Sequence, residues 1–225
     1  MTQRQETWRR DTRAGGLALL FGLALLAFVA LAVLLLFGRP LVALDQWLSA
    51  AVRSVAVPWL DAIARPLTFI GSVTGMTVLT ALVAGWYLLR RRRSEAIFLA
   101  LTVGLGTLVG NVLKPLIGRV RPDVEFARVA QPDPYSFPSG HALASFLFFG
   151  ALVFLVMTAE EDLSLRAKSV ISAVLITVGL SVSISRVYLG VHYVGDVIGA
   201  WLLGSATLIV GVAALLAATE GTPHD

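Results

Sequence analysis

Cysteine is absent from the 225 residues, which excludes disulfides and thiolate chemistry and leaves the redox compartment open. Charge is scarce too. Only 14% of the residues are Asp, Glu, Lys or Arg, against roughly a quarter in soluble domains. Together with 57% hydrophobic residues and a mean hydropathy of +0.82, this shortage excludes an ordinary soluble domain. Long polar stretches are also missing, so no separate soluble domain fits beside the apolar segments. The outer-loop acids Asp123, Glu125 and Asp133 are scattered and lack the arrangement of a bivalent-cation site. The net charge of +4 does not argue for nucleic acid, because basic residues in a membrane chain first set its orientation.

What is present is a series of apolar runs. At about 20 residues per span, an all-α integral membrane bundle of six helices consumes most of the chain, read as one membrane-embedded unit over 1–225. The spans are expected at 15–37, 72–89, 95–117, 142–158, 169–187 and 193–216. A basic tail over 1–14, with Arg4, Arg9, Arg10 and Arg13, precedes the first. That apolar run is longer than the 7–15 residues of a signal-peptide core, so an uncleaved anchor is expected. Residues 39–68 mix Asp45, Trp47, Arg53, Trp59, Asp61 and Arg65 with aliphatics, and Pro58 and Pro66 interrupt them. They read as a broken amphipathic segment at the outer surface, or as a plain covering loop. Arg90–Arg93 follow the second span; as a positive-inside signal they put this loop and both termini in the cytoplasm. Glu160, Glu161 and Asp162 read as solvated and His224 as inert.

Strict alternation of spans then collects the remaining polar groups at one end, the outer one. Lys114, with Arg119 and Arg121 beyond it, forms a basic cluster where orientation does not need one, and an anion is expected there. Ser139, Gly140 and His141 open a helix whose first-turn N–H groups can cradle an anion, although Ser139 can equally be a plain cap. Arg186 offers a planar fork of donors suited to phosphate. If the chain turns helical at His192, Asp196 falls beneath its imidazole and fixes the tautomer, leaving the other nitrogen as nucleophile or base. A buried structural salt-bridge network is the alternative reading of the same residues. Cations around the equatorial oxygens, a nucleophile and a proton donor are what phosphoryl transfer requires.

Lys114-x6-Arg121-Pro122, then Pro138-Ser139-Gly140-His141, then Ser185-Arg186-x5-His192-x3-Asp196 resemble the three-part signature of the type 2 phosphatidic acid phosphatase superfamily. The motif core spans 111–196. The resemblance implies that His192 attacks phosphorus to form a phosphohistidine, Asp196 orients it and His141 protonates the leaving oxygen. Lys114, Arg121, Ser139, Gly140 and Arg186 would bind the phosphate. No metal or cofactor is implied.

The short outer loop resembles the compact bacterial lipid phosphatases. The implied partners are the bilayer and a lipid phosphate or diphosphate. Undecaprenyl diphosphate at the outer leaflet of the cell membrane is the leading substrate, with phosphatidylglycerophosphate and phosphatidic acid as alternatives. A phosphotransferase would pass the phosphoryl group to a lipid or sugar hydroxyl instead. An anionic-lipid transporter is the reading from another class, but transport sites lie near the midplane rather than at helix ends. Oligomeric state stays open.

Overall fold

The computed structural model describes residues 3–131, 133–159 and 163–220, with side chains from residue 12 to residue 219 within those ranges. It is a bundle of α-helices: α1 (Gln3–Phe37), α2 (Arg39–Ser54), α3 (Pro58–Ile70), α4 (Val73–Leu89), α5 (Arg93–Ile117), α6 (Gly140–Thr158), α7 (Leu165–Tyr188) and α8 (Val194–Glu220). Glu160, Glu161, Asp162 and His224 lie outside the described residues.

Local chemistry sets the ends of these helices. Pro40 and Pro58 stand in the first turns of α2 and α3, where a missing N–H costs nothing. Ser72, Ser139 and Ser164 cap α4, α6 and α7 by accepting from the backbone N–H three residues on. Gly118 closes α5 in the left-handed region at φ 69°, the conformation glycine adopts without penalty.

Two expectations are refined. Helix α1 already runs from Gln3, so the backbone of the expected basic tail is helical and continuous with the first apolar run. Residues 39–68 form two ordered amphipathic helices, and the second is joined to α4 at a 58° bend. Among the described residues, five helices are long and apolar enough to cross a membrane singly; the bent pair α3 and α4 supplies the sixth crossing only if counted as one. Ser72 and the short apolar length of α4, 17 residues, explain why the sequence read as a simple span there.

The core surrounds α6, which packs against α4, α5, α7 and α8 and buries Ala142, Leu143, Leu147 and Ala151 completely. Leucine and valine face outward on α1, α5 and α7, the pattern of helices solvated by lipid. Close approach of α5 to α6 depends on two glycines: a Cβ at Gly106 would lie 2.4 Å from Leu147 Cδ1, and one at Gly110 2.4 Å from Leu143 Cδ2. Small residues at this four-residue spacing let membrane helices pack backbone to side chain. The arrangement brings the ends of α5, α7 and the starts of α6 and α8 to one end of the bundle, opposite the arginines that separate α4 from α5.

Candidate active site

Residues 119–121 run as an extended strand-like stretch, with Val120 bridged to Tyr135, and the amides of Arg121 and Ser136 donate to the carbonyls of Pro134 and Arg119. Side chains alternate sides along such a stretch. Arg119 and Arg121 therefore point opposite ways, and their tasks divide.

Arg121 faces the imidazole. Its Nη1 lies 3.0 Å from His192 Nε2 and 2.8 Å from the Val191 carbonyl. Its Nε and Nη2 donate to the Asp133 carbonyl and carboxylate at 2.7 and 3.0 Å. Lys114 Nζ reaches the same Asp133 oxygen at 3.3 Å. Arg186 comes from the last turn of α7; its Nη1 donates to the Thr68 hydroxyl on α3, and its buried Nε has no hydrogen-bond partner among the described residues. His141, on the first turn of α6, lies within electrostatic reach of Arg186, His192, Lys114 and Arg121. A Cβ on Gly140 would come within 4.0 Å of Lys114 Cε, so this backbone stands beside the lysine. Ser139 is buried; its Oγ accepts from the Ala142 amide at 3.5 Å and its N–H donates to the Asp196 carbonyl at 3.1 Å. The hydroxyl thus serves as the cap of α6.

His192 sits in the turn before α8 rather than on the helix, yet its Nδ1 lies 3.3 Å from Asp196 Oδ2. The same carboxylate oxygen accepts the Tyr193 amide at 2.8 Å. A carboxylate on Nδ1 and a guanidinium donor on Nε2 require one tautomer: the proton on Nδ1 and the lone pair on Nε2. Burial, then the positive charges of Arg121, Arg186 and Lys114, hold the His192 ring well below its ordinary pKa, so the neutral form prevails at neutral pH. Asp133 is pushed up by burial but pulled down further by Lys114 and Arg121, and stays ionised below the usual carboxylate range.

Arg119 turns away from this cluster. Its Nη1 and Nη2 donate to Asp196 Oδ1 and Asp45 Oδ2, each at 2.6 Å, and its guanidinium covers the Tyr193 ring at 4.5 Å. The anion expected at Arg119 is the protein's own pair of carboxylates. Arg119 is pushed down by burial, yet Asp196 and Asp45 more than offset this and raise it. Ser136 Oγ adds a 3.2 Å bond to Asp196 Oδ1.

Lys114, Arg121, Gly140, His141, Arg186, His192 and Asp196 are therefore gathered at one end of the bundle, with Ser139 behind them. Asp45, Thr68, Asp133 and Ser136 are not assigned to the site by the sequence, and Arg119 enters there only as a member of the basic cluster. The two-residue alternation of Arg119 and Arg121 was the available signal for one of them. Asp45 and Thr68 lie in the amphipathic stretch, and nothing local marks them as facing inward.

The PAP2 superfamily profile matches residues 95–220. The chain is similar to phosphatidylglycerophosphatase B of Bacillus subtilis, with 31% identity over 71% of this chain and 77% of that protein. It is 35% identical to an undecaprenyl-diphosphatase of Sulfolobus acidocaldarius over 52% of this chain and 53% of that one. The crystal structure of a transmembrane PAP2-type phosphatidylglycerolphosphate phosphatase from Bacillus subtilis superposes with a TM-score of 0.79 at 26% identity, covering 91% of this chain and 98% of that chain.

Proposed function

Because this chain belongs to the PAP2 superfamily and is a membrane lipid phosphatase of that type, we propose that it removes the terminal phosphate of undecaprenyl diphosphate at the outer leaflet through a phosphohistidine on His192. The observation that carries the reading is the Nε2 lone pair of a neutral His192 turned toward the guanidinium of Arg121, with Lys114 and Arg186 close enough to act on the same ring.

In this mechanism three cations and the Gly140 backbone gather the phosphate oxygens, and Arg186 Nε gains the acceptor it lacks. His192 Nε2 forms a bond to phosphorus as the bond to the leaving oxygen breaks. The ring then carries positive charge, which Asp196 offsets through Nδ1–H. His141 gives the leaving oxygen its proton and afterwards takes one from the water that hydrolyses the phosphohistidine. Inorganic phosphate leaves and His192 returns to its neutral form.

The undecaprenyl reading rests on the short outer loop, which supplies little protein to read a headgroup beyond phosphate. Phosphatidylglycerophosphate is the second reading, favoured by the relative named for it that aligns over more of both chains. Phosphate release by purified protein from undecaprenyl diphosphate, phosphatidylglycerophosphate and phosphatidic acid, compared as kcat/KM, decides between them. Undecaprenyl diphosphate is expected to lead; a clear lead for phosphatidylglycerophosphate transfers the assignment. His192→Ala should release no phosphate from any of them, and substantial turnover by that variant overturns the nucleophile. His141→Ala should lose about 10²–10⁴-fold on lipids and much less on a nitrophenyl phosphate, whose leaving group needs no proton.

A further inference from the structure

We propose that Asp45 and Arg119 form a charge-setting pair behind Asp196, in which Asp45 cancels Arg119 so that Asp196 keeps its full negative charge for His192. The inference rests on the assignment of His192 above, and makes Asp45 and Arg119 positioning residues rather than catalytic ones.

Four ionisable groups stand in a row. Asp45 Oδ2 accepts from Arg119 Nη2, Arg119 Nη1 donates to Asp196 Oδ1, and Asp196 Oδ2 faces His192 Nδ1. Their side chains are 5%, 8%, 0% and 1% exposed, so water screens them little. Buried charges persist only when compensated. With His192 neutral the row carries one net negative charge; with an imidazolium or an N-phosphoryl ring it carries none. Without Asp45, Arg119 alone would neutralise Asp196. The row would then be neutral at rest and positive once the ring was charged, beside Arg121, Arg186 and Lys114.

The backbone confirms that Asp45 is held in place for this contact. Its second oxygen accepts the Gly195 amide at 2.7 Å, and Ser49 on the same helix accepts the Val194 amide at 3.0 Å. These are first-turn N–H groups of α8, which no helical carbonyl can satisfy. Glycine at 195 allows the approach, because a Cβ there would lie 2.9 Å from Asp45 Oδ2 and 2.8 Å from Leu35 Cδ1 and would make those side chains shift. One carboxylate on an interfacial helix thus fixes both the guanidinium and the start of the helix that bears Asp196.

The other groups around the ring are Arg121 on the loop, Lys114 on α5, His141 on α6, Arg186 on α7 and Asp133. All are untouched by changes at 45 and 119. The test is a ¹⁵N NMR titration of the full chain in detergent, which has three histidines, the His192 signal being identified by its loss in His192→Ala. Arg119→Gln should raise the His192 midpoint and Asp45→Asn should lower it, each by roughly one pH unit. The double variant should return close to the unmodified chain. Asp45→Asn should also lower kcat by about tenfold, the rate equivalent of that one-unit shift, with little change in KM.

Opposite shifts that cancel are not what loss of a structural contact produces. Equal-direction shifts, no shifts, or a double variant that fails to return would overturn the proposal. Where one single variant does not fold, the sign of the other decides. Turnover is a separate matter: failure to trap phosphohistidine on the unmodified chain defeats the assignment of His192, whereas the titration reads the charge pair regardless.

Discussion

Asp133 lies 3.3 Å from Lys114 Nζ and 3.0 Å from Arg121 Nη2, where its carboxylate takes up donors that a phosphate would use. Its side chain is 38% exposed, and ion pairs this open to water are worth about 0–1 kcal/mol. In the proposed mechanism a phosphate, with more charge and more oxygens, would displace it at small cost. Asp133→Asn is therefore expected to strengthen competitive inhibition by inorganic phosphate about two- to fivefold, within that same energy range; an unchanged inhibition constant would show that Asp133 does not compete. Because Lys114 and Arg121 hold the carboxyl below its usual range, it stays ionised down through that range. Its contribution is present above the ordinary carboxylate pKa and is lost only as pH falls through the lower folded value. The effect of Asp133→Asn should accordingly be constant across neutral pH. The sequence shows Asp133 only as one of three scattered outer-loop acids and does not show that the pairing of 119–121 with 134–136 carries it back over Lys114. A contact between residues separated by a proline-rich loop leaves no periodic trace.

At the scale of elements, the helices were largely legible because a span needs an uninterrupted apolar run, and α5, α7 and α8 begin or end within a few residues of where hydropathy places them. Gly106 and Gly110, four residues apart on α5, are the places where α6 packs closest. Gly106→Leu should force the new side chain into Leu147 and Thr207, whose atoms stand 2.4 and 2.9 Å from a Cβ there. Overpacking of this kind costs about 1–3 kcal/mol, measurable as a lower Tm in detergent, and KM should hardly change because the contact is remote from the phosphate donors. A Tm equal to that of the unmodified chain would show that the α5 and α6 interface yields freely. Helices α2 and α3 were less legible. Their polar residues are as consistent with headgroup contact as with inward contact, and only the fold reveals that Asp45, Ser49, Asp61 and Thr68 turn inward to Arg119, Val194, Tyr188 and Arg186. The pairing of His192 with Asp196 was read correctly from a wrong premise: α8 begins at Val194, and the turn, not a helical repeat, brings the two together.

For the whole molecule, the candidate site and the arginines at 90–93 lie at opposite ends of α5. The proposed orientation puts the former outside and the latter in the cytoplasm. A chain without cysteine permits a direct test with a membrane-impermeant maleimide on intact cells. Val124→Cys, at a position 76% exposed, should be labelled without permeabilisation, and Arg91→Cys only after it. The reverse pattern would place phosphate release in the cytoplasm and remove the outer-leaflet substrate.

The trans-capping of α8 by α2 reaches beyond catalysis. A fragment spanning 95–220 would retain every signature residue, yet its Arg119 would face one carboxylate instead of two and the amides of Val194 and Gly195 would lose their acceptors. Motif completeness and chemical completeness part company here. The share of the chain that carries the motifs is smaller than the share that carries their contacts: Asp45 and Ser49 on α2 and Thr68 on α3 all lie outside it, on helices with no signature of their own.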